Sequence, residues 1–110
     1  MPREAGSTAF ANVAASQTDQ VLVAAVPLAR IEVIGVVINQ GDTTSSAVTF
    51  NSKGSGAGTA ISPALKTSPN GGFVLSTDVV GYFRTNKGEA LTVTTGAGST
   101  TGILVVYRVI

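Results

Sequence analysis

The chain has 110 residues, 44% of them hydrophobic and 12% charged, with a formal net charge of +1. That is the length of one domain, with about half the roughly 25% charged content of ordinary soluble domains. Cysteine and histidine are both absent, which excludes disulfides, zinc–thiolate sites, thiol nucleophiles, imidazole metal ligands and any triad with His as general base.

Residues 1–19 are small and polar, with Phe10 and Val13 as their large apolar side chains and no sustained period. They read as a frayed terminus in a free monomer, or as an extended N-terminal arm in an assembly. From Gln20 onward the pattern is strand, turn, strand. Residues 20–26 form a short apolar strand ended by Pro27, and residues 29–39 form the longest one, followed by a turn at Gln40-Gly41-Asp42. Residues 46–52 follow, with Val48 and Phe50 on one face. A glycine-rich loop from Lys53 to Gly58 then leads to a short strand at 59–61, stopped by Pro63.

Ser68-Pro69-Asn70-Gly71-Gly72 is a strong turn signal. Strands are expected at 73–75 and 79–84, then a turn at Asn86-Lys87-Gly88. Residues 89–95 alternate cleanly, with Leu91 and Val93 inward and Thr92 and Thr94 outward, and a last strand covers 102–109. About eight strands at this spacing predict an all-β, antiparallel, jelly-roll-like sandwich over residues 20–110, preceded by the arm at 1–19.

In two strands both faces are apolar. Ile31, Val33 and Val37 oppose Ile34, Val36 and Ile38; Ile103, Val105 and Tyr107 oppose Leu104 and Val106. A sandwich strand normally turns one face to water, so this pattern implies a second covering layer, supplied by the arm or by another subunit. The plainer alternative is Val and Ile at modestly exposed positions.

The residues that could carry chemistry are few. Gly54-Ser55-Gly56-Ala57-Gly58-Thr59 lacks the following helix of a dinucleotide fingerprint and the Gly-Lys-Ser/Thr ending of a phosphate loop, so it reads as a loop. The six carboxylates, Glu4, Asp19, Glu32, Asp42, Asp78 and Glu89, are dispersed. Asp42 and Asp78 fit turns, and Glu32 fits an outward-facing strand position. Tyr82 and Phe83 are adjacent aromatics, read as one at the rim and one in the core; Tyr82 stacking on a sugar or base is the rarer arrangement. The basic residues Arg3, Arg30, Lys53, Lys66, Arg84, Lys87 and Arg108 are scattered, which gives no phosphate-tracking patch and no expectation of nucleic acid. Residues 21–38 are as long as a membrane span but carry Arg30, Glu32 and Pro27 near the middle, so no membrane partner is expected. The N-terminus has no signal-peptide core, and the chain reads as soluble and unsecreted. No catalytic residue, metal site or cofactor is predicted.

The runs Pro69-Asn70-Gly71-Gly72-Phe73-Val74-Leu75, Gly81-Tyr82-Phe83-Arg84-Thr85, Gly88-Glu89-Ala90-Leu91 and Val105-Val106-Tyr107 resemble those of small β-sandwich structural proteins of tailed bacteriophages. The resemblance spans residues 31–110 and consists of turn and strand punctuation. It implies a virion component: a capsid decoration (cement) protein, a head fibre, or a small tail or baseplate piece. Decoration proteins of this kind often sit as trimers on the major capsid protein. The expectation is therefore a non-enzymatic virion subunit, made in the host bacterial cytoplasm, homo-oligomeric and favouring a trimer. Its candidate capsid and subunit interface is Arg3, Phe10, Val13, Ile34, Val36 and Ile38. The alternative is a receptor- or glycan-binding module of the tail or head fibre.

Overall fold

The structure, a computed structural model, describes residues 6–40, 45–78, 80–98 and 100–110, and of Phe73 the backbone alone. Arg3, Glu4, the expected turn residues Gly41 and Asp42, and Val79 lie outside that description. The described residues form strands and connecting turns, with no helix: β1 (Ser7–Val13), β2 (Gln20–Val23), β3 (Ile31–Asn39), β4 (Ser46–Lys53), β5 (Thr59–Ala60), β6 (Leu65–Thr67), β7 (Gly72–Leu75), β8 (Phe83–Arg84), β9 (Ala90–Thr95) and β10 (Thr101–Val109). Val, Ile and Thr dominate β3, β9 and β10, where branching at Cβ suits the pleated backbone.

Two antiparallel sheets face each other. Sheet A has the order β1-β10-β3-β7, with β8 also pairing β3; sheet B has the order β2-β9-β4-β5, with β6 also pairing β4. The first four strands alternate between the sheets, and the last strand inserts between the first and third. With the short β5 and β8 set aside, this is the strand order of a jelly roll, as the turn spacing predicts. The apolar stretch 21–38 is divided among β2, the turn at Pro27 and β3.

Between the sheets, Ile31, Val33, Val36 and Ile38 of β3 and Ile103 and Val105 of β10 meet Val48 and Phe50 of β4 and Leu91 and Val93 of β9. Phe50 is fully buried, and its ring lies 5.0 Å from that of Phe83 at 35°. Phe83 is thus the inward member of the aromatic pair. Tyr82 sits at the rim, 40% exposed, with its hydroxyl donating to the Ser76 carbonyl.

Two expectations are corrected here. Residues 7–13, expected in an arm, are strand β1, paired with β10 in unbroken register from Ser7↔Tyr107 to Val13↔Thr101. The period of two is present, but its inward members include Ala9 and Ala11, whose small side chains give it no hydrophobic signal. Secondly, both faces of β3 are apolar because of a β-bulge. Val106 faces Gly35 and Tyr107 faces Val33, which leaves Ile34 without a partner of its own on β10. The extra residue reverses the alternation, so Ile31 and Val33 before the bulge and Val36 and Ile38 after it all point into the core. No second subunit is needed to bury them.

Turn chemistry fixes the connections. Gly71 N donates to the Ser68 carbonyl at 3.0 Å, and Asn70 takes the positive φ of 53° that the third position of a type II turn requires. Ala29 N similarly donates to the Val26 carbonyl at 3.2 Å, but there the left-handed position belongs to Leu28, with φ 61° and 85% exposure.

A bulky residue in the left-handed region costs about 1–2 kcal/mol, against roughly 0.5–1 for the extra chain entropy of glycine. Leu28→Gly is therefore expected to raise stability by about 0.5–1 kcal/mol in urea unfolding; a loss of stability would show that the exposed side chain packs on something. Phe50→Ala is expected to cost about 3–5 kcal/mol in the same experiment, whereas Phe10→Ala, compared in dilute monomeric protein, should stay within about 0.5. Comparable losses at the two positions would contradict the placement of the core.

Candidate functional site: the outer face of sheet A

The outer face of sheet A is divided into a covered end and an open end. At the covered end Glu32 points away from the core, as expected of a strand charge, yet it is only 5% exposed. Arg108 Nε donates to Glu32 Oε1 at 2.6 Å, its guanidinium Nη2 lies 2.6 Å from the same oxygen, and Arg84 stands 3.8 Å from Oε2. The chain before β8 runs alongside β3, with Asp78 N and Tyr82 N donating to the carbonyls of Ile34 and Val33 at 2.9 and 2.8 Å. Gly81, at φ +83°, passes so close that a Cβ there would sit 2.8 Å from the Glu32 carboxyl carbon. Ile34 is covered too: the Ile34 and Val106 side chains are both in reach of Gly6.

Beyond the bulge the face is open. Phe10 of β1 stands opposite Leu104 of β10, Leu104 opposite Val37 of β3, and Val37 opposite Val74 of β7. These residues form one apolar cross-strand row over four strands; Phe10 is 79% exposed, Val74 62% and Val37 38%. Cross-strand neighbours on one face are within contact distance, so the row is a continuous apolar strip. The next row, Asn12, Gly102, Asn39 and Gly72, is low because two of its members lack side chains. Asn12 Oδ1 lies over Gly102, 3.3 Å from where a Cβ would be. Between the rows runs a shallow groove of about 250 Å³, lined by Phe10, Asn12, Val37, Asn39, Gly102 and Leu104 among others.

Of the candidate interface residues, Phe10 lies on this open face, and Arg3 lies outside the described residues. Val13, Val36 and Ile38 are 0–1% exposed in the chain's own core, and Ile34 is 7% exposed at the covered end. Those four are corrected: the alternation that placed Ile34, Val36 and Ile38 together assumed an unbroken strand, and the bulge separates Ile34 from the other two. Val37 was missed for the same reason, and Leu104 and Val74 because their neighbours on this face follow from strand pairing. Val37 changes faces once the bulge is counted.

On sheet B the polar side chains are engaged in holding the chain together. Asp19 accepts from Gly58 N at 3.0 Å and from Thr92 Oγ1 at 3.2 Å, while Asn51 Nδ2 donates to Thr94 Oγ1 at 2.8 Å. The end of the glycine-rich loop is thereby tied to Asp19, and Thr92, bonded to the same carboxylate, is fully buried. Gly58 is required by the close approach: a Cβ there would lie 2.2 Å from Asp19 Oδ1. Glu89 accepts from Ser52 Oγ at 2.6 Å. Among the described residues no three acidic groups are placed to share a metal ion.

No protein-family model matches the chain, and no curated protein matches it. Among solved structures it is similar to PirA, with a TM-score of 0.40 and 10% identity over 98% of this chain and 94% of that one. It is also similar to the CBM22-1 xylan-binding domain of Paenibacillus barcinonensis Xyn10C, with a TM-score of 0.44 and 10% identity over 98% of this chain and 96% of that one. At such scores neither likeness defines a shared fold; the sandwich is established by strand order and register.

Glu32→Gln is expected to destabilise the protein by about 1.5–3 kcal/mol, because it weakens charge-assisted bonds at a nearly buried carboxylate. Arg84→Ala, which removes the longer and more exposed contact, should cost less than about 1 kcal/mol. Urea unfolding of both variants checks this, and equal costs would mean that Arg108 is not the principal partner.

Proposed function

We propose that the protein is a non-enzymatic β-sandwich subunit that works by docking, and that its docking surface is the open end of sheet A. The observation that carries this reading is the row Phe10, Leu104, Val37 and Val74, in which large apolar side chains remain exposed in a continuous strip. Isolated exposed apolar residues are ordinary, but a contiguous strip rimmed by polar groups marks an interaction site. The resemblance to tailed-phage structural proteins supplies the setting: a virion, with the protein decorating the head and the major capsid protein as partner. Such a role asks for a rigid sandwich with an apolar face and no catalytic group.

A second reading rests on a separate observation. The exposed Phe10 ring borders a groove that also carries the amides of Asn12 and Asn39. An aromatic face beside amide donors and acceptors is a chemistry that suits a sugar ring and its hydroxyls. A glycan-binding module of a tail or head fibre would use that groove, rather than Tyr82, whose hydroxyl is already bonded to Ser76.

The test is a double substitution, Val37→Ser with Val74→Ser, in virions from the source that encodes the chain. Occupancy of the protein in purified particles, read by cryo-EM, is expected to fall by about tenfold or more while the isolated variant stays folded. Particles that lack the wild-type protein, or that carry the variant at full occupancy, would remove the decoration reading. Glycan-array binding that is lost in Asn12→Ala would establish the second.

A further inference from the structure

The two sheets have four outer edges, and three of them end in short strands. β7 and β8 have four and two residues, β5 and β6 two and three, and β2 four. Short edge strands are a common protection against pairing with another chain. β1 is the exception. Its seven residues, Ser7-Thr8-Ala9-Phe10-Ala11-Asn12-Val13, include no charge and no proline, and their register with β10 has no bulge. Among the described residues, β1 makes no backbone hydrogen bond beyond its ladder with β10. Its central residue is the 79%-exposed Phe10.

We propose that β1 pairs antiparallel with β1 of a second copy of this chain, about a two-fold axis perpendicular to the sheet and centred on Phe10. This register pairs all seven residues of both strands, and a shift in either direction leaves some unpaired. Phe10 then stands opposite the second copy's Phe10, Ala9 opposite Ala11, Thr8 opposite Asn12 and Ser7 opposite Val13. An axis perpendicular to the sheet keeps outer face with outer face. The apolar row of one copy therefore runs on into that of the other, and the two Phe10 rings cover each other at the junction. No like charges meet across the pairing, since the strand has none, so the edge is electrostatically compatible with itself. These features favour a second copy over a foreign strand. The pairing uses the edge of sheet A and leaves most of the open face free, and it does not depend on what larger assembly the protein joins.

Sedimentation of the wild-type protein from micromolar to millimolar concentration is expected to show a dimer. Phe10→Glu and Phe10→Lys should each be monomeric, because like charges would face each other at the axis. An equimolar mixture of the two should dimerise again, at least about tenfold more tightly than either variant alone. A wild-type chain that stays monomeric throughout, a dimer that persists in Phe10→Glu, or a mixture that does not associate would each overturn the pairing. Amide hydrogen exchange on the wild type gives a reading that needs no variant: the β1 amides facing away from β10 should gain protection as concentration rises, and unchanged exchange would overturn the proposal. A monomer that still loads onto particles defeats this pairing alone, whereas a dimer that never enters particles defeats only the decoration reading.

Discussion

The single extra residue at Ile34 governs how this sandwich presents itself. A β-strand places alternate side chains on opposite faces, so one inserted residue exchanges the two faces for everything beyond it. In β3 that exchange sends Ile31, Val33, Val36 and Ile38 into one core and turns Glu32 and Val37 outward. The same point divides the outer face. On one side the chain before β8 and the Arg108 guanidinium cover it, with Glu32 ion-paired beneath; on the other, Val37 and its cross-strand neighbours stay open. The bulge thus separates a structural half of the sheet from a presenting half.

The polar chemistry follows a similar division. Asp19, Glu89 and Glu32 each have defined partners that tie separate parts of the chain together. Asn12 and Asn39, by contrast, lie on the open face beside Phe10. Among the described strand residues, the exposed large apolar side chains are concentrated on sheet A, with Val21 alone on sheet B.

Much of the fold was legible because turns and long strands leave signals that do not depend on tertiary context. Ser68-Pro69-Asn70-Gly71 forms the turn it encodes, and Leu91 and Val93 join the core as expected, whereas Thr92, read as outward, is fully buried and bonded to Asp19. β1 was not legible, since Ala9 and Ala11 fill the inward positions without raising hydrophobicity. β6 was hidden in the short stretch between Pro63 and Pro69. The expected strand at 79–84 contracts to Phe83–Arg84, because the residues before it run beside β3 and bond to it without joining a regular ladder. Of the candidate interface, Phe10 stands out as a large apolar residue in a polar segment, and its side chain is exposed. Val36 and Ile38 were misplaced because a bulge is set by the partner strand's register, which no single strand's pattern contains.

The position of β10 also bears on how the chain folds. Residues 101–109 lie between residues 7–13 and 31–39 in sheet A. Until residues 101–109 have been synthesised, β3 can pair only with β7 and β8, and β1 has no place in the sheet. Closing so long a loop delays the pairings that reward it, and sheets built from distant segments fold in milliseconds to seconds rather than microseconds. On the ribosome, the pairings of β4 with β5 and β6 and of β3 with β7 and β8 can form first, while β1 must wait for β10 to emerge. A deletion within residues 101–109 would therefore remove a strand from the interior of sheet A and leave β1 unpaired.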